Sequence, residues 1–168
     1  MENEQKYKAI AWWTSGQSGI AKSDSAPNAI HFTAPPQFGG LEGRWTPEDL
    51  LMTALASCFT TTFHAIAGYS KFEYTDLAVE AEGTVSKTDT GYCFSEIAVR
   101  PNLKIPNEKH RERAISLLHK ANALCLISRA LATPQKFEAR VEISERGTSN
   151  RAAYGMASNE QSLQDEVG

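Results

Sequence analysis

The sequence has little that would hold a metal, a nucleotide or a nucleic acid. Its three cysteines, Cys58, Cys93 and Cys125, form no C-x-x-C pair. Its four histidines, His31, His64, His110 and His119, show no H-x-x-x-H spacing, so no zinc site is expected. An odd number of widely separated cysteines also excludes a disulfide scaffold. Phe38-Gly39-Gly40 runs on into more loop rather than into a helix, which makes it a weak nucleotide motif. Charge of one sign never accumulates, and the formal net charge of −3 supplies no basic field for nucleic acid or an anionic membrane. No apolar stretch is expected to reach the roughly 18 to 20 residues of a membrane span. The opening MENEQKYK is polar and lacks the apolar core of a signal peptide. The expectation is a cytoplasmic protein with reduced thiols, without metal, cofactor, nucleic-acid partner or membrane partner. Arginine is also missing over residues 7–43, where the basic residues are Lys8 and Lys22 alone.

What is present is an ordinary globular composition, 41% hydrophobic and 22% charged over 168 residues, enough for one domain with a core. Residues 6–14 have strand character, SGQSG over 15–19 is a turn before a second short strand, and residues 28–34 are extended. APPQFGGLEGRW (34–45) is a loop. A helix starts behind Thr46 as N-cap, with Pro47 at its first position and Asp49 completing a pattern like a capping box. Its inward stripe is expected to be Leu51, Leu55, Cys58, Phe59, Thr62, Phe63 and Ile66, with Gly68 as stop signal. Two alternating segments, 73–87 and 92–105, flank Asp89-Thr90-Gly91 and predict a hairpin that carries Cys93 as a structural residue. A second helix follows Asn107, with Ala114, Ile115, Leu118, Ala121 and Leu124 as its apolar face. It runs to Cys125 and a short separate helix, LISRAL. Residues 136–144 read as a final strand, and the polar stretch beyond as a mobile tail. Strands and helices in this order predict an α+β fold.

Cys58 and Cys125 sit in or at the end of the two most apolar helical segments. Each is open to two readings, a small core hydrophobe or a reagent. A reactive thiol must ionise, and burial opposes that. A helix N-terminus favours it, but Cys58 lies about twelve residues into its own helix. The expectation is a cation from elsewhere: Arg44 is nearest in sequence, and Glu48 is placed to hold it. Glu48 lies about 15 Å along the axis from Cys58 of the same helix. If such a pair is functional, a second subunit is its simplest source. His64 is read as a surface or packing residue.

Pro47-Glu48-Asp49-Leu50-Leu51, then Ala56-Ser57-Cys58-Phe59, then Cys125-Leu126-Ile127-Ser128 resemble the OsmC/Ohr family of osmotically inducible and organic-hydroperoxide-resistance proteins. The resemblance covers roughly residues 6–145. It implies an OsmC-like domain over 1–145 and a tail over 146–168. The fold implied is antiparallel sheets wrapped around two central helices in an intertwined homodimer, with active sites at the subunit interface. It implies a thiol-dependent peroxidase that reduces hydroperoxides, organic ones by preference. Cys58 is then the attacking thiol, Cys125 the resolving thiol, Glu48 the glutamate that orients an arginine, and an external dithiol the reductant. The arginine is where the sequence departs. Arg44 is either a shifted equivalent or a solvated loop residue. Leu126 stands where many members carry proline. Phe38, Trp45 and Phe59 are candidates for an apolar substrate wall, with core packing as the alternative. Two other functions stay open: a catalytically weak dimer that binds an apolar small molecule, and a thiol redox sensor.

Overall fold

Residues 4–144 are described by the structure, a computed structural model. The tail expected over 146–168 lies outside the described residues. The chain divides into two compact units, with the division between Ala54 and Leu55.

In the N-terminal unit, β1 (Ala9–Ser15), β2 (Ser18–Ser23) and β3 (Ile30–Phe32) form a three-stranded antiparallel sheet. Gly16 takes a positive φ of 59° in the tight β1–β2 turn, a backbone state that glycine adopts without steric cost. The loop that follows is tied down by buried Thr33. Its Oγ1 donates to the Gln17 carbonyl at 2.7 Å and accepts from the Leu41 amide at 3.1 Å, and its own amide donates to the Trp45 carbonyl at 2.9 Å. The expected capping box is present. The Asp49 carboxylate accepts from the Thr46 amide at 2.9 Å and the Thr46 hydroxyl at 2.8 Å, while the Asp49 amide donates back to Thr46 Oγ1 at 3.2 Å.

The helix so started, α1 (Pro47–Tyr69), passes the stop signal read at Gly68 and ends one residue later. Lys71, with φ of 48°, takes the left-handed position beyond its end. The Phe72 amide donates to the Ala67 carbonyl and the Lys71 amide to the Gly68 carbonyl, which together make a Schellman stop. Arg113 closes this end, donating to the Ser70 carbonyl and lying over the Phe72 ring. One expectation needs correcting. α1 has 23 residues, and its best 18-residue window reaches a mean hydropathy of 1.5, long and apolar enough by length and composition to cross a bilayer. A core helix passes the same test, and Leu55, Phe59, Phe63 and Ile66 of α1 are buried.

The second unit is built on a long antiparallel hairpin, β4 (Asp76–Thr88) with β5 (Gly91–Ile105), paired from Asp76↔Lys104 to Thr88↔Gly91. Alternate residues of β5, Ile97, Val99, Leu103 and Ile105, are fully or almost fully buried, as a pleated strand with one face on a core requires. The opposite face carries Arg100, which pairs with Glu80, Glu82 and Glu138 at 2.7, 2.5 and 2.8 Å. α2 (Arg111–Leu124) buries Ala114, Leu117, Leu118 and Ala121, at spacings of three and four. Ile115 and Leu124, expected on that face, are 38% and 50% exposed, because the stripe runs through Leu117 instead. α3 (Leu126–Ala130) is the short separate helix expected. The single final strand expected is instead two, β6 (Gln135–Phe137) and β7 (Arg140–Ile143), both parallel to β5. The antiparallel expectation therefore holds for β1–β3 and β4–β5, while β5 is also the axis of a mixed sheet.

Candidate active site

Cys125 lies at the joint between α2 and α3. Its φ of −60° and ψ of 115° break the helical path. Its amide still donates to the Ala121 carbonyl at 2.8 Å, and its carbonyl accepts from the Arg129 amide at 3.0 Å. The residue thus ends one helix and starts the next. The first amides of a helix have no partner within it, and here sulfur takes them. The amides of Ile127 and Leu126 donate to the Cys58 sulfur, and the Thr62 hydroxyl, one turn on along α1, joins them.

The two thiols are brought together and hydrogen-bond to each other. All three cysteines are free: Cys125 is fully buried, Cys58 half-buried and Cys93 exposed. The environments of the first two push in opposite directions. Burial raises the Cys58 thiol, but the hydrogen bonds from Ile127, Cys125, Leu126 and Thr62 outweigh it and hold the thiol below the ordinary cysteine range. Burial pushes the Cys125 thiol up. The hydrogen bond and charge of Cys58 add to that, against opposing amides of Ser128 and Ile127. The arrangement can therefore present one sulfur as a thiolate and its neighbour as a protonated thiol, the two states that disulfide formation through an oxidised sulfur needs.

The remaining candidates fall in different places. Phe59 is fully buried and packs against Phe137 at 5.8 Å between ring centroids, within the same unit as the thiols. Phe38, Arg44, Trp45 and Glu48 belong to the N-terminal unit. Phe38 and Trp45 are 47% and 50% exposed, and Arg44 is exposed on the loop before α1. Glu48 is half-buried, and its Oε2 is a buried acceptor without a hydrogen-bond partner among the described residues. His64 is exposed and its Nδ1 meets the Tyr74 hydroxyl at 2.9 Å, as expected of a packing residue. Among the described residues no group of three or more His, Cys, Asp and Glu side chains is placed to hold a metal ion.

Reasoning from sequence sought a cation for Cys58 and missed the amides of Leu126 and Ile127. The available signal was a cysteine at the junction of two helical segments, the position before a helix whose free amides face outward. Thr62, expected on the buried stripe of α1, also turns its hydroxyl to the Cys58 sulfur.

A family model described as OsmC-like protein matches residues 40–140. The YmaD protein of Bacillus subtilis, itself uncharacterised, is 26% identical over 122 residues, covering 71% of this chain and 81% of that protein. The peroxiredoxin OsmC of Escherichia coli is 24% identical over 116 residues, covering 69% of this chain and 80% of that protein. Among solved structures, an organic hydroperoxide resistance protein from Elizabethkingia anophelis superposes with a TM-score of 0.69 at 22% identity, covering 86% of this chain and all of that one.

Proposed function

The chain belongs to the OsmC-like protein family, and from that premise we propose that it is a cysteine-based peroxidase that reduces hydroperoxides, organic ones by preference. The observation that carries this reading is the Cys58–Cys125 pair, in hydrogen-bond contact, with one thiol lowered and the other raised. Relatives named as a peroxiredoxin and as an organic hydroperoxide resistance protein support it.

The Cys58 thiolate attacks the outer oxygen of the hydroperoxide. An S–O bond forms, the O–O bond breaks, and the alkoxide leaves as alcohol after taking a proton. Sulfur is oxidised to a sulfenic acid and the peroxide is reduced. The Cys125 sulfur then displaces the sulfenic oxygen as water and forms a Cys58–Cys125 disulfide. An external dithiol returns two electrons and both thiols. Phe38 and Trp45 are proposed as an apolar wall for the alkyl group. Glu48, with its unpartnered buried oxygen, is proposed to receive a guanidinium, with Arg44 the candidate, across a homodimer interface. The cytoplasm, which keeps thiols reduced, is the proposed location.

Peptide mass spectrometry over seconds tests the reading, after one equivalent of cumene hydroperoxide or of hydrogen peroxide is added to reduced protein. A rapid Cys58–Cys125 disulfide is expected, faster with the organic peroxide. Cys58→Ser abolishes peroxide consumption, and Cys125→Ser permits one oxidation and then stalls. Thiols that stay reduced for minutes would remove the peroxidase reading. The exposed position of Arg44 would then favour an OsmC-like dimer that binds an apolar small molecule, visible as co-purified ligand in native mass spectrometry.

A further inference from the structure

The amides that meet the Cys58 sulfur belong to α3, a helix of five residues. So short a helix does not hold its own position, since isolated helices of this length are unstable in water. Something outside it must fix where those amides point. No side chain caps its N-terminus.

Its middle residue is gripped from the sheet. Ser128 Oγ donates to Gln135 Oε1 at 2.6 Å, and Gln135 Nε2 donates to the Ser128 carbonyl at 2.8 Å. One carboxamide therefore holds both the side chain and the backbone of a single residue. Gln135 is itself fixed as the first residue of β6, opposite Ile97 in the parallel register, and the Ile97 amide donates to the Pro134 carbonyl next to it at 3.0 Å. Ser128 and Gln135 are half-buried and Ile97 is buried, so these hydrogen bonds meet less competition from water than exposed ones would. A chain of contacts thus runs from β5 through Gln135 and Ser128 into α3, and from the α3 amides to sulfur.

We infer that Gln135 and Ser128 are positioning residues for the thiol site: their two reciprocal hydrogen bonds hold α3 so that the Leu126 and Ile127 amides face Cys58. The inference rests on the reading of Cys58 as the reacting thiol and adds what sets its reactivity. Neither side chain is among the groups that hydrogen-bond the Cys58 sulfur. Their effect passes through backbone donors whose alignment falls off steeply when the helix shifts. The lowered Cys58 thiol is consistent with that alignment.

The pH profile of iodoacetamide alkylation at Cys58, read by peptide mass spectrometry on the full chain, tests this. It needs no peroxide. Gln135→Leu and Ser128→Ala are each expected to move the profile to higher pH and to slow alkylation at pH 7 by a few-fold to about tenfold. The double variant is expected to move it no further than the larger single change, because both remove one clamp. Ser128→Ala puts a strong helix former into α3 and serves as the decisive variant if Gln135→Leu does not fold. Unchanged profiles in the folded single variants would overturn the inference even if peroxide turnover is intact, leaving the peroxidase reading in place. A wild-type chain that alkylates early in pH yet consumes no peroxide, with the variants moved to higher pH, would remove the peroxidase reading and leave the clamp.

Discussion

At the scale of single residues, the position after the second cysteine bears on the chemistry most directly. Leu126 keeps a backbone N–H that proline would not have, and that N–H is one of the donors to Cys58. The local backbone would accept proline. Cys125, with φ of −60° and ψ of 115°, already has the extended conformation favoured before proline, and Leu126 is the first residue of α3, where proline is well tolerated. Its side chain is 63% exposed, so little packing would be lost. Leu126→Pro is therefore close to a clean deletion of one hydrogen bond. Cys58 lies below and Cys125 above the ordinary thiol range. Rising pH should thus ionise Cys58 first, and limited alkylation should label it while Cys125 remains a thiol. In Leu126→Pro the Cys58 profile should move up in pH. Labelling at pH 7 should slow by about tenfold or more, since a hydrogen bond to a charged group is worth about 1.5 to 3 kcal/mol. An unmoved profile would show that the Ile127 amide and the Thr62 hydroxyl suffice.

At the scale of elements, what decides is how each helix begins and ends. The start of α1 was legible because Thr46, Pro47 and Asp49 carry a local chemical pattern, and the same pattern forms in the structure. Its end was misread by one residue. Gly68 is the usual sign, yet the left-handed residue is Lys71, flanked by Ser70 and Phe72, which meet Arg113 from far along the chain. The face of α2 was blurred for a related reason. Ala114, Ile115, Leu117 and Leu118 admit two neighbouring stripes, and only packing selects Leu117 over Ile115. The Schellman stop gives a prediction. A left-handed lysine carries a steric cost that glycine avoids, partly offset by glycine's larger entropy loss on folding. Lys71→Gly should stabilise the fold by about 0.5 to 1 kcal/mol, read as a raised urea midpoint at unchanged slope. A lowered midpoint would mean that the Lys71 side chain contributes more than its backbone costs.

At the scale of the whole molecule, the α+β class was legible from the order of strands and helices, while the pairing of Cys58 with Cys125 was implied by the family resemblance alone, since patterning left each thiol open to a packing role. The source of thiolate stabilisation was signalled only by the place of Cys125 at the joint of two helical segments, because it is made of backbone amides, and any residue but proline supplies one. Glu48 remains to be placed. Its Oε2 is buried and lacks a partner among the described residues, a state that costs free energy unless a donor arrives from elsewhere. The window of α1 that is apolar enough to span a bilayer is only 28% buried within one chain. The proposed homodimer would supply such a donor to Glu48 from a second copy. In a two-fold dimer with shared sites, Glu48 of one chain would serve Cys58 of the other. Complementation tests this directly. Glu48→Gln and Cys58→Ser homodimers should each be impaired in peroxide reduction, the first slowed and the second inactive. Co-expressed in equal amount, they form mixed dimers in which one site has both an intact Cys58 and an intact Glu48 from opposite chains. Since random pairing makes half of the dimers mixed, with one complete site in each, activity should recover to about a quarter of wild type. Sedimentation equilibrium should give twice the chain mass for every variant. No recovery, with mixed dimers demonstrated by mass, would place Glu48 in the service of its own chain or of neither thiol.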